Sequence, residues 1–241
     1  MDTATITAQA FNEMSYNYEA IVDGELRRFW GWRYDDFVEA FLQDIPAQPF
    51  ECVLDIATGT AVIPRKLIHQ GREIDALFGL DLTMGMLRSG QRQLQQQGAA
   101  TDRVNLMNAN ALAMPYADGS FDLVICCLAT HHMGTSQMLS EMNRVLKLGG
   151  LLLLADVCAA PYWRWKWYRP LVDAFTLVYF TLVESIARAK AEMASFPNIL
   201  TPQEWENVLG EHGFTQVFIR KLHRKFFWIP NPVIIKAKKK D

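Results

Sequence analysis

The stretch from Val53 to Leu67, VLDIATGTAVIPRKL, decides the fold of this 241-residue chain. It begins with apolar, strand-forming residues, reaches Asp55, and then passes through a run of small residues before a helical pattern starts. Pro64 lies near the start of that pattern, where a helix tolerates proline. A turn of small residues between a strand and a helix lets another molecule approach the backbone closely. The stretch therefore predicts a ligand-binding turn at the carboxyl end of a buried strand.

Strand-like and helical segments alternate on both sides of this turn. The helical segments start near Val62, Thr83 and Thr135, and a later helix is predicted with Thr201 as N-cap and Pro202 at its first position. The strand-like runs are CVLDIA, IDALFGL, RVNLMNA, FDLVICCLA, GLLLLADV, TQVFIRKL and WIPNPVIIKA. Short apolar strands separated by helices are typical of a parallel sheet that is covered on both faces. We therefore expect an α/β fold with a doubly wound, mostly parallel, seven-stranded sheet.

Two helical segments are predicted outside this alternation. Residues 1–48 form an N-terminal segment whose aromatic spacing indicates two amphipathic helices, and we expect it to pack over the site. Residues 49–241 form the main domain, which a helical insertion at about 159–197, the cap, interrupts after the fifth strand. The longest apolar run of the cap contains Asp173 and Glu184, so it falls short of a membrane-spanning helix.

Composition and charge narrow the classes of partner. The formal net charge is -2 and half of the residues are hydrophobic, so we expect no nucleic-acid partner. Four cysteines lie in or beside strand-like runs without metal-binding spacing, which indicates buried free thiols in a reducing compartment. The amino-terminal residues lack the features of a secretory signal, which favours a cytoplasmic location. The expected partner is a small, apolar molecule.

The opening turn is compatible with three kinds of ligand. A phosphate-binding loop ends in Gly-Lys-Ser/Thr, which is absent here. A dinucleotide site prefers three glycines, but only Gly59 is present, with Ala57 and Ala61 at the matching positions. A nucleoside without phosphates needs carboxylates instead, and Asp55 and Asp81 flank the turn along the chain. Asp81 lies 22 residues after Gly59, near the ~20-residue interval at which an acidic residue meets ribose hydroxyls.

Four segments taken together carry a resemblance to a known family. They are LDIATGTA, GLDLTMGMLRSG, NANALAMPYADGSFDLVI and EMNRVLKLGG, and FNEMSYNYEAIVD precedes them. The series resembles the class I S-adenosylmethionine-dependent methyltransferases, most of all the ubiquinone/menaquinone C-methyltransferase group, from about Phe11 to Phe214. The resemblance implies a Rossmann-like methyltransferase fold and S-adenosyl-L-methionine as cofactor.

The resemblance also implies a set of cofactor contacts. Asp55 would orient the turn and the methionine amino group, Gly59 would let the backbone approach, and Asp81 would accept hydrogen bonds from the ribose hydroxyls. Taken alone, Asp55 and Asp81 are also explained as strand-end or capping residues. The implied cofactor-binding residues are Asp55, Ala57, Thr58, Gly59, Asp81, Leu82, Met86, Asn110, Ala111 and Leu128.

The adenine side of this set contains departures from the family pattern. Leu82 and Met86 would flank the ring, although Met86 is equally explained as core packing. Asn110, beside Ala111, stands where the family usually has aspartate. Its carbonyl oxygen still accepts a hydrogen bond, so weaker adenine discrimination is expected. Ala61 in place of glycine is expected to be tolerated.

Two histidines are candidates for proton transfer. The sulfonium already activates the methyl group, so no metal is expected. An acceptor that is a hydroxyl or an aromatic carbon must lose a proton, which histidine can take near neutral pH. LATHHM places His131 and His132 just past the fourth strand, and His132 is the first candidate for the base. Both histidines are also explained as residues that fix the loop.

The aromatic residues of the cap predict an apolar acceptor. We expect methyl transfer to carbon or oxygen of a small lipophilic molecule that is aromatic, quinol-like or isoprenoid. The alternatives are a phospholipid or small-amine N-methyltransferase and, in another class, a non-catalytic cofactor-binding partner protein. The interleaved cations are compatible with transient contact at a membrane surface. The expected substrate-pocket residues are Tyr18, Trp163, Trp167, Phe175 and Tyr179.

Overall fold

A seven-stranded sheet forms the centre of the computed structural model, which describes residues 3–98, 102–165, 167–226 and 229–241. The strands run in the order β3-β2-β1-β4-β5-β7-β6. β7 is antiparallel to β5 and β6, and the other neighbours are parallel, which confirms the predicted fold class. The strands are β1 Phe50–Ile56, β2 Ile74–Asp81, β3 Val104–Asn108, β4 Phe121–Cys127, β5 Leu146–Cys158, β6 Phe214–Lys221 and β7 Asn231–Lys239.

Helices cover both faces of this sheet. Successive residues of a strand point to opposite faces, so Val53 and Leu54 of β1, both fully buried, belong to different apolar clusters. Clusters on both sides explain why the central strands have no alternating polar pattern. The helices are α1 Thr3–Met14, α2 Tyr18–Phe29, α3 Tyr34–Leu42, α4 Val62–His69, α5 Met84–Gln97, α6 Thr135–Val145, α7 Tyr168–Val183, α8 Ile186–Ser195 and α9 Pro202–Glu211.

The described part of the N-terminal segment, from residue 3, contains three helices, so the prediction of two was wrong. The helical spacing of the aromatic residues continues without interruption across the break between α2 and α3, so the sequence pattern does not reveal that break. At that break the backbone N–H groups of Trp30 and Gly31 both bond to the carbonyl of Leu26, and Gly31 has a φ of +80°. Glycine adopts this conformation without the steric cost that other residues pay, so it ends α2 and redirects the chain into α3.

The long apolar run of the cap is divided between α7 and α8. Ser185 has an extended backbone between them, and its hydroxyl accepts a hydrogen bond from the backbone N–H of Arg188 at 3.1 Å. A serine in this position starts a new helix instead of continuing the old one. No helix in the described part of the chain has the length and apolar character needed to cross a bilayer.

Helix α5 packs closely against the connection between β1 and α4. A Cβ atom placed on Gly90 would lie 3.0 Å from the carbonyl carbon of Thr60 and 3.1 Å from Cβ of Ala61. These distances are shorter than ordinary van der Waals contacts, so a methyl group would force α5 or the turn to shift. The position of α5 therefore depends on the conformation of the chain after β1.

Candidate active site

The β1–α4 turn, residues 57–61, has an unusual backbone conformation. Ala57, Gly59 and Ala61 have φ angles of 54°, 54° and 58°, in the left-handed region. Each of the two alanines costs roughly 1–2 kcal/mol in this region. The backbone N–H of Thr58 donates to the carbonyl of Leu80 at 3.0 Å, which fixes the turn against the end of β2. Strain of this kind persists only where surrounding contacts determine the backbone.

Asp81 links this turn to the end of β2. Its Oδ2 accepts a hydrogen bond from the backbone N–H of Gly59 at 2.9 Å, and its Oδ1 accepts one from that of Thr83 at 2.8 Å. The residue is 8% exposed, and burial raises its pKa despite these hydrogen bonds. A carboxylate oxygen can accept more than one hydrogen bond, so Asp81 keeps acceptor capacity for a ligand hydroxyl.

Asp55 occupies the buried end of β1. It accepts a hydrogen bond from the hydroxyl of Thr58 at 2.6 Å. Burial, opposed by the Thr58 hydrogen bond and assisted by the charge of Asp81, raises the pKa of Asp55 to about 8. The two aspartates thus lie near each other at the carboxyl edge of the parallel strands, where ligands bind in such sheets.

The predicted adenine side lies after β2 and β3. Leu82 is 44% exposed, whereas Met86 is almost fully buried. The side-chain amide of Asn108 donates to the carbonyl of Leu82 at 2.8 Å, which holds this edge in place. Oδ1 of Asn110 accepts from the backbone N–H of Leu112 at 2.9 Å. The roles of Met86 and Asn110 toward adenine stay predictions.

The residues at this edge of the sheet fit a bound nucleoside. Vicinal hydroxyls require a carboxylate acceptor, which Asp81 supplies, and a purine ring requires an apolar side chain such as exposed Leu82. The backbone at Gly59 carries no Cβ, which permits close approach by a ligand. Ala111, which follows Asn110 after β3, is buried. These residues belong to separate strand ends that the sheet brings to one edge.

The start of helix α2 covers the β1–α4 turn. Oε1 of Glu19, at the start of α2, accepts a hydrogen bond from the hydroxyl of Thr60 at 2.7 Å and pairs with Arg65 of α4. A Cβ placed on Gly59 would lie 3.9 Å from Cε1 of Tyr18. The ring of Tyr18 therefore lies next to the backbone of Gly59, on the side where a side chain would project.

A cavity of about 380 Å³ extends from this position toward the cap. Tyr18 and Leu128 line one part of it, and Trp163 and Phe175 line the part formed by the cap. Most of its wall is apolar or aromatic, which is typical of a small-molecule site with few polar groups. Leu128 follows β4 and has a φ of 56°, so it directs the chain into the cavity wall.

His131 and His132 lie in a 3-10 helix, Thr130–His132, directly after β4, and both line the cavity. Nδ1 of His131 lies 2.5 Å from Oδ1 of Asp156, which is fully buried at the end of β5. Burial lowers the pKa of His131, but the charge and hydrogen bond of Asp156 outweigh it, so the pKa is raised. The pKa of His132 is well below its ordinary value because of burial, His131 and Arg188.

Comparisons with known proteins agree with this geometry. Residues 53–150 match a family model described as a methyltransferase domain. The chain is 26% identical to a demethylmenaquinone methyltransferase of Symbiobacterium thermophilum, over 86% of this chain and 84% of that protein. It is 28% identical to a ubiquinone/menaquinone biosynthesis C-methyltransferase of Xanthomonas oryzae, over 92% of this chain and 87% of that protein. The chain is an S-adenosylmethionine-dependent methyltransferase that resembles those of class I.

A solved structure supports the fold of the methyltransferase. The YcgJ protein of Bacillus subtilis superimposes with a TM-score of 0.66 at 17% identity, covering 86% of this chain and 100% of that one. The methyltransferase resembles the ubiquinone/menaquinone group in sequence, and its cofactor is S-adenosylmethionine.

Three of the five predicted pocket residues of the methyltransferase line the cavity: Tyr18, Trp163 and Phe175. Trp167 and Tyr179 do not belong to the wall of this cavity, so their roles toward the substrate stay predictions. Trp167 precedes α7 and is 62% exposed. Tyr179 lies on α7 beside the cavity-lining residues, but its ring stacks on that of Phe175 and its hydroxyl accepts a hydrogen bond from Arg28. Helix rotation, which aromatic content does not reveal, decides which residues face the cavity.

Charged residues that no motif indicates also line the cavity of the methyltransferase. Glu25, Arg188 and Glu192 are buried or half-buried in its wall, and Asp156 lies behind His131. Glu184, Lys190 and Glu192 lie within four residues of Arg188, so the sequence gives no signal that sets this charge apart from its neighbours.

One group in the described part of the methyltransferase has spacing compatible with a metal ion. His131, His132 and Glu192 each offer a ligand atom, and these atoms lie within 4.8 Å of one another. Nη1 of Arg188 lies 3.0 Å from Oε1 of Glu192. A guanidinium therefore already places positive charge beside the only carboxylate of the group, which disfavours a cation there.

Proposed function

We propose that the enzyme transfers a methyl group to carbon or oxygen of a small lipophilic acceptor that is aromatic, quinol-like or isoprenoid. The observation that carries this proposal is the apolar cavity, which begins beside Tyr18 at the β1–α4 turn and continues into the cap. The two related proteins named above act, by their names, on quinone precursors, which supports an acceptor of this class.

The residues around the turn would hold the cofactor. When bound, S-adenosylmethionine supplies a methyl group that its sulfonium has already activated. Asp81 would accept the ribose hydroxyls while it keeps its bonds to the backbone of Gly59 and Thr83. Asp55 would orient the turn through Thr58 and meet the methionine amino group. Both roles require carboxylates, which the buried strand ends provide.

His131 is better suited than His132 to act as the base. Asp156 accepts the hydrogen bond of Nδ1, so Nε2 of His131 is left as the basic nitrogen. The low pKa of His132 makes it a weak base. In our proposal, Nε2 of His131 takes the proton that the acceptor loses when its carbon or oxygen gains the methyl group. His132 then contributes to acceptor binding.

The two helical segments would exclude water during transfer. The start of α2 lies over the β1–α4 turn, and α1 packs against α5 and against α8 of the cap. A hydrophobic enclosure strengthens the electrostatic interactions inside it and prevents side reactions. We therefore assign residues 1–48 and the cap at about 159–197 to closure of the acceptor site.

One face of the cap would contact a membrane surface. The exposed apolar residues of this α7 face follow helical spacing, and Leu171 and Phe175 belong both to the face and to the cavity wall. A lipophilic acceptor could then pass from a bilayer into the cavity without crossing water, which fits a cytoplasmic enzyme with transient membrane contact. The α7 face comprises Trp167, Leu171, Phe175, Val178, Leu182 and, at the start of α8, Ile186.

Titration calorimetry with S-adenosylmethionine and S-adenosylhomocysteine is the first test. We expect micromolar binding of both, followed by transfer of labelled methyl from S-adenosylmethionine to quinols or phenols in an acceptor panel. His131→Ala should lower turnover about 100-fold or more, within the range of a general base, and leave S-adenosylhomocysteine affinity unchanged. Absence of binding would contradict the proposal, and binding without transfer to any acceptor class would favour a non-catalytic partner protein.

Membrane contact has a separate test. In a flotation gradient, vesicles that contain one-quarter anionic lipid should carry the enzyme upward. Anionic lipid is included because it attracts the lysine and arginine residues that are interleaved with the aromatic residues of the cap. The double variant Leu182→Ser/Ile186→Ser should stay at the bottom of the gradient and retain its cofactor affinity. Equal flotation of both proteins would remove membrane contact from the proposal.

A further inference from the structure

Arg188 of α8 is buried in the wall of the cavity among three carboxylates. Its Nη2 lies 3.3 Å from Oε2 of Glu25, its Nε 3.5 Å from Oε2 of Glu184, and its Nη1 3.0 Å from Oε1 of Glu192. The guanidinium carbon lies 5.0 Å from the centre of the Phe11 ring. Ring, arginine and carboxylates thus form one cluster where α2 and α8 meet.

Several polar atoms of this cluster make no hydrogen bond of normal geometry among the described residues, although the atoms of Arg188 and Glu192 lie within ion-pair distance. They are Nε and Nη1 of Arg188, Oε1 of Glu192 and Nδ1 of His132. Oε1 of Glu25 and of Glu184 are also without a donor, but these two carboxyls can share a proton because burial raises the pKa of Glu25 to about 8. Buried polar atoms normally have partners, so the remaining four atoms call for a ligand or water.

The cavity is where such a ligand would come from. Arg188, Glu192 and His132 all line it. Nη1 of Arg188 can donate a hydrogen bond and Oε1 of Glu192 can accept one, and Nε2 of His132 lies 3.5 Å from that same oxygen. One hydroxyl or amine could therefore interact with donor and acceptor together.

The charge of the cluster restricts this ligand further. Three carboxylates surround one guanidinium, so negative charge is in excess even when Glu25 and Glu184 share a proton. An anionic group would be repelled here, while a group that donates hydrogen bonds would be attracted.

We propose that Arg188, Glu192 and His132 form a head-group subsite for the acceptor, which takes a hydrogen-bond-donating polar group without negative charge. A hydroxyl and an amine share this chemistry. The inference rests on the proposed function, because the subsite holds the polar end of the acceptor while its apolar body lies against Trp163 and Phe175. Phosphate and diphosphate heads are excluded from this position.

A series of probes with one ring and four head groups tests the subsite. The probes are 1-naphthol, 1-naphthylmethylamine, naphthalene and 1-naphthyl phosphate, each measured by equilibrium dialysis against the enzyme saturated with S-adenosylhomocysteine. One good hydrogen bond to a charged group predicts that 1-naphthol or the amine binds about tenfold or more tightly than naphthalene. 1-Naphthyl phosphate should bind least tightly of the three polar probes. Whichever of 1-naphthol and 1-naphthylmethylamine binds more tightly identifies the head group as a hydroxyl or an amine.

The outcomes separate this inference from the proposed function. Two results would overturn the subsite while S-adenosylhomocysteine still binds. One is equal affinity for naphthalene, 1-naphthol and 1-naphthylmethylamine, and the other is tightest binding of 1-naphthyl phosphate. Failure of S-adenosylhomocysteine to bind would contradict the proposed function itself, and dialysis of the four probes would then be repeated without it. The probe order alone decides for or against the subsite in either case.

Arg188→Gln tests the residue directly. We expect the preference for 1-naphthol over naphthalene to disappear while S-adenosylhomocysteine affinity stays unchanged. Arg169→Gln is the matched control, because Arg169 also pairs with a carboxylate, Asp173 at 2.8 Å, and also lies over a phenylalanine ring, but belongs to α7 outside the cavity wall. The control should keep the preference, and its loss in both variants would mean that the effect comes from general loosening of the cap.

Glu192→Gln serves if Arg188→Gln does not fold. It keeps the shape of the side chain and removes one negative charge, so the amine probe should weaken more than 1-naphthol and the phosphate should bind more tightly. An unchanged order of all four probes in this variant would overturn the role of Glu192.

Discussion

Nδ1 of His131 lies 2.5 Å from Oδ1 of Asp156, a carboxylate with no exposed surface. Asp156 also accepts hydrogen bonds from the hydroxyl of Thr130 and from the backbone N–H of Val157. These bonds fix the carboxylate in one position, and the carboxylate in turn fixes the tautomer of His131. The pair connects the end of β5 with the segment after β4.

Asp156→Asn should lower the pKa of His131. Burial already acts in that direction, and the variant removes the opposing charge while an amide oxygen can still accept the Nδ1–H bond. NMR titration of the His131 ring proton in wild type and variant measures the shift, with the signals of His69, His212 and His223 as internal controls. An unchanged midpoint would show that Asp156 does not control the protonation of His131.

Asp81→Ala should weaken S-adenosylhomocysteine binding by about 10-fold to 100-fold, since it removes hydrogen bonds to a charged acceptor. Calorimetry measures the change. Asp75→Ala is the control, because Asp75 lies on the same strand but is exposed near its opposite end. If both variants bind with wild-type affinity, Asp81 has no part in holding the ribose.

Glu25→Gln should flatten the dependence of stability on pH. Burial raises the pKa of Glu25 from 4.5 to about 8, opposed by Arg188 and assisted by Glu184 and Glu192. The folded state therefore binds this proton more tightly than the unfolded chain. The stabilisation is fully present below about pH 4.5 and is lost as the pH rises toward 8, by at most about 1.4 kcal/mol per pH unit.

Urea unfolding at pH 5.5, 6.5, 7.5 and 8.5 measures this effect. The free energy of unfolding should fall more steeply with pH in wild type than in Glu25→Gln. Asp55, whose pKa is also raised to about 8, contributes a slope of the same sign in both proteins, so the variant keeps part of the dependence. Parallel curves would mean that Glu25 titrates normally in the folded protein.

Two helical glycines should respond oppositely to alanine. Gly90→Ala places a Cβ 3.0 Å from the backbone of Thr60 and should cost about 1–3 kcal/mol, together with some cofactor affinity. Gly24→Ala on α2 has no atom within 4 Å of the new Cβ and should stabilise by about 0.5–1 kcal/mol. Thermal unfolding compares the two, and stabilisation by both would show that α5 can move away from the turn.

The sequence predicted the elements whose signals are local. Val62 and Thr135 begin helices as expected, and Thr201 forms a capping box with Glu204 in front of α9. The break at Gly31 was missed because the aromatic spacing runs through it. Local signals suffice where a cap, a turn or a short apolar run defines the element by itself.

The parts of the site that were missed depend on distant contacts. Asp156 is 25 residues from His131, and their contact requires β5 to lie beside β4 in a particular register. Arg188 and Glu25 are 163 residues apart and meet only because the cap folds back on α2. The contact of the Tyr179 ring with Phe29, at 5.3 Å between ring centres, likewise depends on the packing of α7 against α2.

Because Gly90 packs closely against Thr60, substitutions in α5 can disturb the β1–α4 turn. Leu94, one turn beyond Gly90, is 1% exposed, so any change in its volume must be accommodated by a shift of the helix. In a library of random variants, inactive members would therefore cluster along α5 as well as in the turn. A map of such variants would outline a region larger than the footprint of the cofactor.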